Sequence, residues 1–224
     1  MGSLRDFVDL FLHLDQTLGR VATDYGTWTY LILFVIVFCE TGLVVTPFLP
    51  GDSLLFAAGA IAARGDMNVL LIAFALGAAA LCGDNVNYFV GKMLGSRLVR
   101  KEGSKLLNRR HLERTHAFFE KYGGKTIIIA RFVPIVRTFT PFVAGLGAMT
   151  YPRFLAYSVV GATLWVGVCV TAGYYFGRLQ VVKDHFSLAI LAVILVSLVP
   201  AVVEVVKHRR QSARQAPIVT PAPD

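Results

Sequence analysis

The 224-residue chain is 55% hydrophobic, only 16% charged, and has a mean hydropathy of +0.62, which excludes an ordinary soluble domain and predicts a polytopic membrane protein. Its net charge of +8 is segregated. Ten Lys/Arg lie between Lys92 and Lys125 against Glu102, Glu113 and Glu120, and Lys207, Arg209, Arg210 and Arg214 follow the last apolar run. Basic clusters flanking membrane segments mark cytoplasmic loops, and with no recognition module beside them they do not point to a nucleic-acid partner.

Residues 3–24 have the pattern of an interfacial amphipathic helix. Ser3 with Asp6 resembles a capping box, and Leu4, Phe7, Phe11, Leu14, Leu18 and Val21 recur at helical spacing. No short apolar core with a small-residue cleavage site precedes them, so a removed signal peptide is not expected.

Leu31 to Cys39 is continuously apolar, about 14 Å of helix against a hydrocarbon core of about 30 Å. Glu40, Pro47, Pro50, Gly51 and Asp52 then interrupt the run before Leu54 to Ala63 resumes it. Residues 31–63 therefore read as a re-entrant hairpin, whose irregular backbone must be buried in protein or face water. Residues 69–90 are long enough to span, although Gly83, Asp84, Asn85 and Asn87 are too polar to face lipid; hydrogen bonding across a helix interface accounts for them. Residues 92–125 form the basic cytoplasmic segment, with a short surface helix over 108–122.

A second hairpin is expected over 126–149, broken by Arg131, Pro134, Arg137 and Pro141. Residues 154–176 and 186–206 read as two further spans, and 208–224 as a disordered basic, proline-containing tail. Tracing the crossings puts the C-terminus in the cytoplasm and the acidic N-terminus outside. At a shift of 86 residues, Phe56, Ala58, Gly59, Ala62, Tyr88 and Gly91 fall on Phe142, Ala144, Gly145, Ala148, Tyr174 and Gly177. The fold expected is thus all-α and polytopic: an N-terminal helix (1–27), then a membrane domain (28–207) of two inverted repeats, each a re-entrant hairpin plus a span, and an additional C-terminal span.

An ionised side chain at the centre of a bilayer helix costs about 2.5–3.5 kcal/mol. Paired broken segments are the sequence pointer to a transporter substrate site. Hairpins entering from opposite faces place Glu40 and Asp52 opposite Arg131 and Arg137. In one reading these charges form a structural ion-pair cluster; in the other the arginine forks capture an anionic head group while a carboxylate competes or takes a proton. Cys39, Cys82 and Cys169 read as small packing residues, and the glycines at 83, 91, 95, 161, 173 and 177 as close-packing positions. No nucleotide fingerprint appears, and His111 and His116 are too isolated to propose as metal ligands, so neither cofactor nor metal is expected.

Phe38-Cys39-Glu40, Pro50-Gly51-Asp52, Gly83-Asp84 with Tyr88 and Gly91, Arg131-Phe132 with Pro134, Arg137 and Thr138, Ala144-Gly145, Trp165, and Gly173-Tyr174 with Gly177 together resemble the DedA family of bacterial inner-membrane proteins. These share a domain with eukaryotic VTT-type lipid scramblases. The resemblance runs over about residues 28–207. It implies a transporter or flippase for lipid carriers, undecaprenyl phosphate above all, or for phospholipids, with a link to the proton gradient and a role in envelope integrity. The family's two acids match Glu40 and Asp52, and its two arginines match Arg131 and Arg137; Pro50, Gly51, Asp84, Pro134, Thr138 and Pro141 are the expected supporting residues. Two positions depart from the common pattern: Pro50-Gly51-Asp52 replaces Pro-Ser-Glu, and Ser158 replaces Asn. The expectation is a non-enzymatic lipid-phosphate transporter of the bacterial inner membrane, its partners membrane lipids, an anionic lipid phosphate and protons, with homo-oligomerisation left open. A lipid pyrophosphate phosphatase and a non-transporting scaffold are the alternatives; no Ser/His or metal constellation stands beside the arginines to favour the first.

Overall fold

The computed structural model describes residues 24–42, 51–65, 67–100, 124–147, 149–180, 182, 186–196 and 199, with the side chains of 96–100, 134 and 135 excepted. The expected helices over 3–24 and 108–122, Pro50, and the C-terminal tail lie outside these residues, apart from Asp24. Among the described residues all regular structure is helical: α1 (Trp28–Gly42), α2 (Gly51–Arg64), α3 (Val69–Arg100), α4 (Lys125–Ala130), α5 (Pro134–Leu146), α6 (Tyr151–Phe176) and α7 (Phe186–Val196).

Among the described residues two helices are long and apolar enough to cross a membrane. The apolar part of α3, Val69–Gly95, has 27 residues and α6 has 26. At about 1.5 Å per residue each exceeds a hydrocarbon core of about 30 Å. By the same measure α1, with 15 residues, and α2, with 14, fall short. Helix α3 begins where sequence chemistry places it: the Asn68 side-chain oxygen accepts from the backbone N–H groups of Leu70 (2.9 Å) and Leu71 (3.2 Å). It runs ten residues beyond the expected end at Val90, to Arg100. Hydropathy marks where the apolar surface stops, whereas the backbone continues helical into the basic segment.

The break between α4 and α5 is tight. The amides of Arg131, Phe132 and Val133 each bond three residues back, and Val133 is extended (φ −116°, ψ 108°) before Pro134 starts α5. Pro141 does not share in the break. It lies buried inside α5, which continues past it, so the expected interruption shrinks to residues 131–133. Proline there removes one helical amide without ending the helix.

The second arms exchange partners: α2 packs chiefly on α6, and α5 on α3, while α1 packs on α3 and α4 on α6. Both exchanges rest on glycine. A Cβ on Gly59 would strike the Val170 carbonyl and one on Gly173 the Phe56 carbonyl; a Cβ on Gly145 would strike the Tyr88 carbonyl and one on Gly91 the Phe142 carbonyl. Absent side chains let the backbones touch, which is how helices associate where no hydrophobic drive operates between them. Phe56 and Gly59 are related to Phe142 and Gly145 by the 86-residue repeat, whereas Val170 and Gly173 follow Tyr88 and Gly91 by 82, one helical turn less. Helix α2 is buried along nearly its whole length, from Gly51 to Ala62, with Asp52 half-buried, and its apolar side chains form the core with α1, α3, α6 and α7. A second core joins Tyr88, Ile127, Ala144 and Phe154, where the Tyr88 and Phe154 rings stack at 4.4 Å.

Candidate functional site

Arg137 occupies the first turn of α5, and its guanidinium forks between two acids. One terminal nitrogen pairs with Glu40, on the last turn of α1; the other donates to Asp52 Oδ1 at 2.6 Å, on the first turn of α2. The Glu40 carboxylate also accepts the Gly51 amide at 3.0 Å. Gly51 makes this possible, since a Cβ at that position would occupy the carboxylate's place. An acid at a helix N-terminus meets the positive end of the helix dipole, so α2 itself helps to hold Glu40. Residues 40 and 51 are thereby drawn together, closing the ends of the first two arms.

Trp165 on α6 completes this cluster. Its indole N–H donates to Asp52 Oδ1 at 2.7 Å, and the Arg137 guanidinium carbon lies 4.9 Å from its ring centroid. Glu40 and Arg137 are sealed, with side chains 1% and 5% exposed, whereas Asp52 keeps 14%. Two carboxylates face one guanidinium here, so the cluster carries a formal excess of one negative charge when both are ionised.

Arg131 is held elsewhere. It pairs with Asp84 of α3, and the same nitrogen donates to Ser158 Oγ on α6 at 3.2 Å, while the Ser158 hydroxyl donates to Asp84. The Gly161 surface of α6 receives the Arg131 side chain, where a Cβ would lie 3.0 Å from its Cδ. The expected four-charge group is therefore two networks: Arg137 faces Glu40 and Asp52, and Arg131 faces Asp84. Asp84 bonds across a helix interface, but its partner is a charge. Ser158 supplies a hydroxyl that serves both members of the pair.

Of the supporting residues, Thr138 offers its carbonyl to the Asn87 amide at 3.2 Å, and the same amide reaches the Thr41 carbonyl at 2.6 Å. Asn87 thus ties the end of α1 to the start of α5, beside Glu40 and Arg137. Gly51 admits the Glu40 carboxylate, Pro134 starts α5, and Pro141 is buried within it without a polar role.

Asn87, Ser158 and Trp165 were not among the expected site residues. Their signal is spacing. Ser158, Gly161 and Trp165 share one face of α6, and Asp84, Asn87 and Gly91 one face of α3, at intervals of three, four and seven residues.

A cavity of about 560 Å³ lies against the Arg137 cluster, with Asp52 and Trp165 in its wall. The rest of its lining among the described residues is apolar apart from the Cys169 thiol, contributed by α2, α6, α7 and residues 132 and 182.

The VTT-domain model matches residues 49–175. The chain is similar to "Protein DedA" of Escherichia coli (strain K12), 53% identical over 211 residues, covering 93% of this chain and 96% of the relative. It is also 42% identical over 193 residues to an "Uncharacterized membrane protein" of Mycobacterium tuberculosis (strain ATCC 25618 / H37Rv), covering 85% and 84% of the two chains. A third relative, "Inner membrane protein YqjA" of Escherichia coli (strain K12), is 37% identical over 152 residues, covering 68% and 69%. No solved structure matches. With the domain matched over more than half its length and the Escherichia coli "Protein DedA" aligned nearly end to end, the chain belongs to the DedA family of VTT-domain membrane proteins.

Proposed function

We propose that this protein is a flippase that moves an anionic lipid phosphate, undecaprenyl phosphate or a phospholipid, across the bacterial cytoplasmic membrane, with protons as the coupling ion. The observation that carries the reading is one buried arginine, Arg137, shared by Glu40 and Asp52 at the wall of an apolar cavity. A phosphate offers the same bidentate acceptor geometry as a carboxylate, so it replaces Asp52 on the Arg137 fork without loss of pairing. Asp52, the more exposed acid, is the one that yields. It is released toward the cavity as the head group arrives, and a proton taken up at either acid offsets the added negative charge. Trp165 keeps its ring against Arg137 through the exchange.

In this reading α1 with α2 and α4 with α5 are re-entrant hairpins of two inverted repeats, entering from opposite faces, with the basic segments and C-terminus cytoplasmic. The exchanged packing of the second arms, through glycine on both sides, supports that arrangement. Such repeats rock against one another about a fixed midplane site to give alternating access. Arg131, paired with Asp84 in its own network, holds the second hairpin to α3 and α6. The test is movement of a fluorescent lipid phosphate in reconstituted vesicles, with and without a pH gradient. Wild type transports and Arg137→Ala does not; equal transport by the two proteins would overturn the reading.

A further inference from the structure

The cavity beside the Arg137 cluster has a wall that an inorganic or head-group ligand does not need. Among the described residues Asp52 is the one charged member of its lining, and the Asp52 Oδ1 atom already accepts from both Arg137 and the Trp165 indole. The remaining surface comes from apolar side chains and the thiol of Cys169. Water held there would find few of the two to four polar partners it needs. Its volume of about 560 Å³ lies within the range of specific small-molecule sites, about 300–1,000 Å³.

The cavity also has a direction. At its polar end Trp165 is 1% exposed. Among its apolar lining, Val168 and Phe176 of α6 and Val196 of α7 are 55–69% exposed. Apolar residues that face both the cavity and the exterior of a membrane protein form a mouth onto the hydrocarbon phase. The opening lies between the span α6 and the short apolar helix α7, so the space is continuous from the surrounding lipid to Asp52.

We propose that this cavity is a binding site for a hydrocarbon chain of a membrane lipid, which enters sideways between α6 and α7 and lies with its head end at Asp52 and Trp165. The orientation of the head rests on the transport reading above; occupation of the cavity by a chain does not. Specificity for long, flexible apolar chains then resides in α6 and α7, while the charge of the head is read by Arg137. The small residues Ala172 and Ala189, on the two facing helices, set the bore.

The experiment uses the full chain in phospholipid nanodiscs and a long-chain alcohol bearing a photoreactive diazirine, with labelled positions mapped by mass spectrometry. Labelling at Val168, Cys169 and Val193 saturates and is competed by unlabelled alcohol, whereas labelling at Leu70 and Phe74, exposed on α3 away from the cavity, rises without saturation. The cavity-filling substitutions Ala172→Phe and Ala189→Phe, made singly, lower the cavity labelling about tenfold, the change that corresponds to roughly 1.4 kcal/mol of affinity. Unchanged labelling at Leu70 and Phe74 and an unchanged melting temperature show that each variant is folded; should one not fold, the other single variant and Ala189→Leu carry the test. Arg137→Ala, which stops transport, leaves the saturable labelling in place, so failure of the transport reading and failure of the chain site are separate results. Cavity labelling that does not saturate, that ignores the filling substitutions, or that disappears in folded Arg137→Ala would overturn the proposal.

Discussion

Arg131 opens the break between α4 and α5 and Arg137 lies just beyond it, yet they are held in opposite ways. Arg131 has a single carboxylate partner, Asp84, and a hydroxyl, Ser158, that bridges the pair; all three are buried. Arg137 divides its fork between two carboxylates, one of which lines a mostly apolar cavity. A closed, charge-balanced pair has no reason to change partners. A shared arginine with one accessible acid can exchange that acid for another anion at little cost, because the fork stays filled throughout. Two buried arginines so close in the chain therefore do not make one site: the first has the form of a strut, and in the proposed function the second is the receptor.

The largest effect should come from breaking the strut on one side only. Arg131→Ala leaves Asp84 buried without its cation, and breaking a buried pair this way costs about 3–5 kcal/mol. Thermal unfolding in detergent should show it as a large loss of melting temperature. Replacing both members, Arg131→Met with Asp84→Leu, should restore most of that stability, since well-packed apolar residues substitute for a buried pair with little penalty.

Next in size are the glycine contacts that position both networks. Gly59→Val and Gly145→Val each push a Cβ and more into a facing backbone carbonyl, so each should destabilise by about 1–3 kcal/mol. Comparable losses for the two would match the exchanged packing of α2 and α5. A loss confined to one would mean that the two second arms do not play equivalent parts.

Trp165→Phe keeps a ring against Arg137 and removes the donor to Asp52. Because Asp52 retains Arg137, the protein should stay folded while transport slows, measurable as a lower initial rate at unchanged yield. The smallest effect is expected outside both networks. Tyr151→Phe removes a half-buried neutral hydrogen bond to Asn85, 2.9 Å long, and should cost about 0.5–1.5 kcal/mol with no change in transport.

How far the sequence reveals this arrangement follows from the range of each interaction. The broken segments are legible because proline, glycine and charge within an apolar run are local signals, but α2 already begins at Gly51 and α5 at Pro134, inside the stretches those signals mark as interruptions. Pro141 misleads because a proline pattern does not distinguish a helix end from a buried interior turn. The end of α3 is misplaced because composition reports apolar surface, not backbone hydrogen bonding. The Glu40, Asp52 and Arg137 grouping is legible as charge complementarity between the broken segments. That Arg131 chooses Asp84, 47 residues away, is not, because one arginine in such a pattern looks like another. Only the packing of α3 against α5 and α6 decides between them, and the register of α3 on α5 is set by glycines whose partners are backbone atoms without sequence identity.

The most direct measurement compares the two networks after each is neutralised as a whole, which leaves no buried charge unpaired. One protein carries Arg131→Met with Asp84→Leu; the other carries Arg137→Met with Glu40→Gln and Asp52→Asn. Both are reconstituted into vesicles and assayed for movement of a lipid phosphate beside wild type. The account predicts that the first still transports and that the second is folded but inactive. Transport by the second, or its loss from a stably folded first, would contradict the division between strut and receptor.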